Sequence, residues 1–333
     1  MNSVKWGILS TANIAKKAII PALQTSENTD VSAIASLSGK AEEIAEEFSI
    51  PKAYGSYEEL LDDQEIQAVY IPLPNTLHKE WVTKAARKGK HVLCEKPAAL
   101  TAEDVKEMAD VCRSNNVLFM EAFMYQFHPQ NSRVKELIAE GAIGEVRQMR
   151  SAFTFKLDFE KNKQNIRLNK ELGGGSIWDV GCYCIHSARY ILGEEPSEVF
   201  VKGEVHDDFG VDTKAAGILS FENGITASFE CSFEQPMKDL YEISGTKGTI
   251  KVPFAYRPDR FPAGEVPIKI IDEKGEERSE TLKGNPYEIQ VSHFSDCILS
   301  GNEPAYSPEA TIKNVQAIQA CYQSMDTGAA VRL

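Results

Sequence analysis

The chain has 333 residues, 42% of them hydrophobic and 26% charged, and carries a formal net charge of −13. That length exceeds what one hydrophobic core usually serves, so two domains are expected, and the composition excludes a wholly disordered chain. The acidic balance argues against nucleic acid as a partner, because phosphate backbones require a basic face.

No apolar run approaches membrane-spanning length and no charged-then-apolar leader precedes the first apolar run, so no membrane partner and a cytoplasmic location are expected. Seven cysteines without CxxC spacing read as reduced, mostly buried thiols. Cys182 and Cys184 are too close for an unstrained bridge and too few for zinc, so no metal site is expected.

Val4 to Leu9 reads as a buried strand. Ser10-Thr11-Ala12-Asn13-Ile14-Ala15 then turns into a helix with Ile14, Ala18, Ile19 and Leu23 at helical spacing. A dinucleotide fingerprint, G-x-G-x-x-G, needs small residues so that amides at a helix N-terminus can approach a pyrophosphate. Here its positions are Ser10, Ala12 and Ala15, all small and none glycine. The turn residues Ser10, Thr11, Ala12, Asn13 and Ile14 are therefore candidates for coenzyme binding, and a plain strand-to-helix turn is the competing reading.

A second strand, Val31 to Ala35, ends at Ser36-Leu37-Ser38-Gly39-Lys40, roughly 20 residues further on, where an NAD site would offer an acid to the adenine ribose. No acid is present. Ser36 and Ser38 can donate to a 2′-phosphate and Lys40 can neutralise it, which favours NADP over NAD; a helix-capping serine with a solvated lysine explains the residues equally well. Ser56 and Glu59 are spaced as a capping box. The strand Gln67 to Ile71 delivers Asn75 and His78 toward the carboxyl edge of a sheet, where either can touch a coenzyme ribose or serve as an Asn turn and a surface histidine.

Val92-Leu93-Cys94-Glu95-Lys96-Pro97 is a short apolar strand that stops at an acid, a lysine and a proline. Ligands of open α/β sheets bind at the carboxyl ends of strands, so Lys96 stands at a reacting position and Glu95 beside it. The Lys96–Pro97 bond is the segment's best candidate for a cis peptide. Strict alternation of strands and helices up to Glu121 predicts a doubly wound parallel sheet over 1–122.

Beyond Glu121 the pattern changes to successive strands, Glu145 to Leu157, Val199 to Val205, Thr213 to Phe221, Ile225 to Phe233 and Leu240 to Val252, with a hairpin at Gly245-Thr246-Lys247-Gly248. An α+β domain on a largely antiparallel open sheet is expected over 123–333, with its outer face covered by a second subunit in a homodimer or homotetramer. One helix interrupts the strands after a flexible Gly173-Gly174-Gly175. Its Asp179, Tyr183 and His186 fall at i, i+4 and i+7, an acid, a phenol and an imidazole on one stripe that would face a cavity. A tyrosine near a lysine can exchange protons because the ammonium lowers the phenol pKa. A hydrogen-bonded core tyrosine with an aspartate partner is the bland alternative.

The order of dinucleotide turn, Glu95-Lys96-Pro97 and the GGG-x-x-x-D-x-G-x-Y run from Gly173 to Tyr183 resembles the glucose-fructose oxidoreductase and inositol dehydrogenase (Gfo/Idh/MocA) family over essentially the whole chain. Trp6-Gly7-Ile8-Leu9, Ile50 to Leu60 and Leu93 to Pro97 look most similar to its dihydrodiol dehydrogenase and NADP-dependent aldose dehydrogenase branch. The resemblance implies a Rossmann first domain and hydride transfer between NAD(P) and a secondary alcohol or hemiacetal carbon of a sugar, cyclic polyol or trans-dihydrodiol. It implies that Lys96 polarises the substrate oxygen and touches the nicotinamide ribose, that Tyr183 exchanges the proton and that Asp179 holds the tyrosine or substrate.

Many relatives carry histidine at the Tyr183 position, which makes His186 a substrate contact here instead of the principal base. Arg167 can meet a substrate phosphate or carboxylate, or form a surface ion pair. The departures from the family pattern are the glycine-free fingerprint and Leu37. A coenzyme-binding regulator or scaffold without catalysis is the alternative function.

Overall fold

The computed structural model describes residues 3–333 and divides into two compact units, one of Met1–Met124 with Tyr287–Ile312, the other of Tyr125–Pro286 with Lys313–Leu333. In the first unit, β1 (Val4–Leu9), β2 (Thr29–Ala35), β3 (Lys52–Tyr54), β4 (Ala68–Ile71), β5 (His91–Cys94) and β6 (Phe119–Glu121) form one sheet in the order β3-β2-β1-β4-β5-β6. Every pairing is parallel. The near-continuous apolar strands follow from this, since helices cover both faces of such a sheet. Strand order reverses between β1 and β4, and ligands of doubly wound sheets bind outside the strand ends at such a switch.

The edge strand β3 is too short to show a period, and the sequence pattern did not mark it. The capping box forms as spaced, with Glu59 N–H donating to Ser56 Oγ at 3.2 Å and the Glu59 carboxylate accepting from Ser56 N–H at 3.3 Å. The first unit is not continuous in sequence, because most of the helix Pro286–Ser300 returns to it. Trp6 Nε1 donates to Ser295 Oγ at 3.1 Å and the Trp6 ring meets Phe294 at 5.8 Å, so a side chain of β1 anchors the returning helix.

The second unit carries β7 (Val146–Lys156), β8 (Glu198–Val205), β9 (Asp212–Ser220), β10 (Thr226–Ser232), β11 (Glu234–Gly245), β12 (Gly248–Val252), β13 (Val266–Asp272), β14 (Glu277–Leu282) and β15 (Val331–Arg332). They make a sheet in the order β14-β13-β12-β11-β7-β10-β9-β8-β15. It is antiparallel apart from β7 against β10, a pairing between strands remote in sequence that periodicity does not reveal. The hairpin between β11 and β12 sits where its glycines predict. An added Cβ would lie 2.2 Å from Ile143 O at Gly245 and 2.3 Å from Ile271 O at Gly248. The sequence pattern assigned no strand beyond Val252; β13, β14 and β15 extend the sheet.

On this sheet, against β7 and β10, packs the helix that follows the triple glycine. Its first turn, Ile177–Gly181, is π-helical, with Cys182 N–H bonded to Ile177 O, and α-helix follows over Cys182–Leu192. Asp212 of β9 secures the start, accepting from Ile177 N–H at 2.7 Å, Ser176 Oγ at 2.6 Å and Tyr322 OH at 2.7 Å. The acid thereby satisfies an amide that a helix N-terminus leaves open.

The glycines before this helix are required by close approach instead of flexibility. A Cβ at Gly174 would lie 2.5 Å from Arg167 O, and Gly175 adopts φ +126 with an added Cβ 2.2 Å from Asp212 Oδ1. Replacing Gly175 by alanine is expected to lower unfolding free energy by about 2–4 kcal/mol, combining backbone strain with damage to the Asp212 hydrogen bonds. Gly193→Ala, at φ +71 with open space around it, should cost only about 1 kcal/mol. Urea unfolding of the two variants separates packing from backbone conformation; equal losses would refute the assigned role of Gly175.

Candidate active site

The candidate coenzyme turn follows β1. Ser10 N–H donates to Ala35 O at 2.9 Å, which ties the turn to the end of β2, and Ser10 Oγ accepts from Ala12 N–H at 3.1 Å. Ser10 has φ +118, a conformation that L residues rarely adopt and that a fingerprint glycine supplies without strain. Serine holds the glycine conformation here through its own hydroxyl. The helix that follows has a π-helical segment, Ala15–Ile19, with Ile20 N–H bonded to Ala15 O; Pro21, lacking an N–H, interrupts the ordinary ladder just beyond it. Asn13 is exposed, while Thr11, Ala12 and Ile14 are half-buried. The first amides of a helix lack intrahelical acceptors, and with only small side chains at Ser10, Ala12 and Ala15 this turn fits a pyrophosphate.

Past β2, Ser36 is buried and its hydroxyl lies 2.8 Å from that of Ser38 and 3.4 Å from that of Thr11. This chain of hydroxyls links the first turn to the end of β2. Leu37 and Lys40 are exposed.

At the end of β5 the Lys96–Pro97 bond is cis, as the sequence anticipates. Glu95 Oε1 accepts from the hydroxyl of Tyr70 on β4 at 2.5 Å, and Glu95 Oε2 from Lys96 N–H at 3.3 Å. Burial and the neighbouring carboxylate hold the Tyr70 phenol well above its ordinary pKa, so it is a neutral donor. Two further side chains grip this turn. His78 places Nδ1 2.9 Å from Pro97 O and Nε2 2.8 Å from Leu73 O, and Glu121 Oε1 accepts from Ala98 N–H at 2.7 Å.

His78 thus departs from the sequence expectation. It is fully buried with both ring nitrogens directed at backbone carbonyls, so it joins two loops instead of reaching a coenzyme ribose or solvent. Asn75 lies just before it in a short 3₁₀ turn, Asn75–Leu77, and remains half-buried at that edge. Glu121 was missed by sequence reasoning. It pairs in register with Cys94 at the end of β6 and is fully buried, and burial pushes its pKa up to about 7. The signal was present: one acid within Val117-Leu118-Phe119-Met120-Glu121-Ala122-Phe123, where a charge is least expected unless paired.

Within the second unit Tyr183 is buried among aromatic rings, Phe153 at 5.3 Å, Tyr256 at 5.6 Å and Tyr125 at 5.7 Å. Asp179 pairs with Arg167, whose Nε lies 2.6 Å from Asp179 Oδ2. The glycines explain this pair: Gly174 N–H donates to Asn169 O at 2.9 Å and Gly175 N–H to Arg167 O at 3.0 Å, which presses the Arg167 loop against the start of the helix. The Asp179 charge raises the Arg167 pKa, and Tyr183 and Arg257 also act on it, so acid, phenol and two guanidiniums share one electrostatic neighbourhood. Arg257 is held by Asp259, at 2.8 Å to both guanidinium nitrogens involved, and by Asp239, which accepts its N–H at 3.0 Å.

The expected polar stripe does not face open space: Asp179 is half-buried and turned to Arg167, and residues on every side of the helix are buried. His186 in particular is 1% exposed, with Nδ1 2.6 Å from Tyr125 OH, and burial holds its pKa well below the ordinary value. A neutral imidazole enclosed in this way packs into the aromatic cluster, edge-on to Tyr125 and stacked on Tyr190.

Comparison with known proteins agrees with this layout. Residues 4–123 match the model of an oxidoreductase family with an NAD-binding Rossmann fold, and residues 131–251 match the GFO/IDH/MocA C-terminal domain. The chain is 40% identical to D-xylose 1-dehydrogenase (NADP(+)) 2 of Haloferax volcanii over 98% of its length and 99% of the relative's. It is 30% identical to trans-1,2-dihydrobenzene-1,2-diol dehydrogenase of Mus musculus, covering 90% of this chain and 89% of that one. Among solved structures, aldose-aldose oxidoreductase from Caulobacter crescentus complexed with glycerol superposes with a TM-score of 0.91 at 28% identity over 100% of both chains. A 3-ketoreductase from Actinomadura kijaniata in complex with NADP and TDP-benzene gives 0.91 at 29% identity, covering 97% of this chain and 98% of that one. With a glycine-free Rossmann turn, a lysine at the end of β5 and a tyrosine on the helix after the triple glycine, the chain belongs to the Gfo/Idh/MocA family of NAD(P)-dependent oxidoreductases.

Proposed function

We propose that this oxidoreductase is an NADP-preferring dehydrogenase or reductase that works on a secondary alcohol or hemiacetal carbon of a sugar, cyclic polyol or trans-dihydrodiol. The observation that carries the reading is Lys96, placed at the carboxyl end of β5 and braced by Glu95, His78 and Glu121 in a chain whose relatives are dehydrogenases of xylose and of a dihydrodiol. When bound, the nicotinamide gives or takes the hydride.

Lys96 polarises the substrate oxygen, favouring the alkoxide-like charge that develops as hydride leaves the carbon. Tyr183 takes or returns the hydroxyl proton, with the Arg167 guanidinium, itself paired with Asp179, in electrostatic reach of the phenol. Asp179 orients Arg167 toward that end of the helix. The aromatic surround of Tyr183 limits water at the proton-exchange step.

The NADP preference rests on Ser36, Ser38 and Lys40 and on the absence of an acid between Ala35 and Lys40. A homodimer or homotetramer through the nine-stranded sheet is supported by the cross-strand pair Phe200 and Ile218, exposed by 39% and 47%. Seven buried, unbridged cysteines suit a reducing cytoplasm. Among the described residues no helix is long and apolar enough to cross a membrane.

Lys96→Met and Tyr183→Phe are each expected to lower kcat by at least about a thousandfold while NADPH still binds, assayed over aldoses, inositols and dihydrodiols with each coenzyme. Wild-type rates in both variants would refute the assignment, and tight NADPH binding by a wild-type protein inert toward the whole panel would favour the non-catalytic reading. Ser36→Asp should weaken NADPH binding about tenfold or more relative to NADH, read by coenzyme fluorescence titration. Ile218→Glu should shift the sedimentation coefficient to that of a monomer if the sheet face is the subunit interface.

A further inference from the structure

The acid at the end of β6 has no part in the chemistry so far described, yet it is buried directly behind the turn that carries Lys96. Its Oε1 accepts from Ala98 N–H at 2.7 Å, two residues beyond the lysine, and the Lys96 charge acts on the carboxyl. A carboxyl fully removed from water is costly to ionise unless something nearby benefits from its charge. The Ala98 amide needs only an acceptor, which a neutral glutamine would also supply, whereas the Thr311 and Tyr306 hydroxyls and the Lys96 charge favour the ionised carboxyl. The retained acid therefore points to an electrostatic task.

We infer that Glu121 is a positioning residue for Lys96, holding the Lys96–Pro97–Ala98 turn through the Ala98 amide and supplying the negative charge that favours a protonated Lys96 ammonium. The inference rests on the role given to Lys96 above.

The groups that face this carboxyl can be named element by element. Cys94 of β5 is a neutral thiol whose pKa is pushed up by burial and then by Glu121. Tyr306 and Thr311 present hydroxyls from the returning C-terminal segment, and both favour the ionised carboxyl. On the opposite side of the turn, His78 faces Pro97 O and its pKa is lowered by burial and, more weakly, by Lys96. Glu95 is engaged by Tyr70 and by the Lys96 amide.

The direction of the pH effect follows. As pH rises through about 7 the Glu121 carboxyl loses its proton, and the new charge opposes deprotonation of Lys96. The acid thus extends to higher pH the range over which the lysine can polarise an oxygen.

The test is Glu121→Gln, which keeps an acceptor for Ala98 N–H and removes the charge. In the full chain carrying lysine labelled with 13C at the ε carbon, the Lys96 signal is assigned by its loss in Lys96→Met and titrated by NMR. The expected result is a Lys96 titration midpoint about one unit lower in Glu121→Gln, with other lysines unmoved. With an active substrate, the alkaline limb of the kcat profile should move to lower pH by a similar amount while coenzyme KM stays within about twofold. A Lys96 titration that superposes on the wild type in a folded Glu121→Gln protein overturns the inference and leaves Glu121 a structural acceptor. Because the NMR titration needs no turnover, a shifted midpoint in a protein inert toward every substrate would sustain the charge coupling and refute the dehydrogenase reading instead.

Discussion

A buried turn must find partners for its own amides and carbonyls, and that requirement organises the parts of this chain that bear on chemistry. The turn after β5 carries Lys96 but is itself mostly buried at Pro97, Ala98 and Ala99. Glu121 accepts the Ala98 amide and His78 meets the Pro97 carbonyl, so two side chains from different strands and helices define where the lysine begins. The same device recurs in the second unit, where Asp212 takes the Ile177 amide and Asp239 takes the amides of Tyr256 and Arg257. Burial pushes Asp239 up to about 6, close to neutral pH, as it does Glu121.

The glycines and the fingerprint show two ways of solving one steric problem. At Gly174 and Gly175 a side chain would collide with Arg167 O or Asp212, so glycine is needed for a loop to lie against a helix start and deliver Arg167 to Asp179. At Ser10 the backbone takes a glycine-like φ of +118 with a side chain present, and the hydroxyl accepts the Ala12 amide. The turn after β1 therefore keeps a glycine-like shape without the expected glycines. Its small residues, more than their identity, are what a pyrophosphate requires.

Tyr183 is set apart from the other polar residues of its helix by what surrounds it. His186 shares that helix but is enclosed against Tyr125, and burial keeps it uncharged, whereas Tyr183 lies within reach of the field of Arg167. The phenol interacts electrostatically with the Arg167 guanidinium, whereas Arg189 opposes a positive charge on the imidazole.

The sequence by itself determined the alternation of strands and helices in the first domain, the strand-to-helix turn after β1, the lysine at the end of β5 and the hairpin at Gly245 to Gly248. These depend on local periodicity and turn chemistry, which residues a few positions apart express completely. Only the tertiary structure decided that His78 and His186 are enclosed, that Glu121 stands behind Lys96, that Asp179 is turned to Arg167 and that β7 pairs in parallel with β10. Helical spacing placed Asp179, Tyr183 and His186 on one stripe, but burial on all sides and the Arg167 pair at Asp179 keep that stripe from lining open space. Burial, ion pairing and sheet order are set by neighbours tens to hundreds of residues away, as Trp6 with Ser295 illustrates, and no local pattern records them.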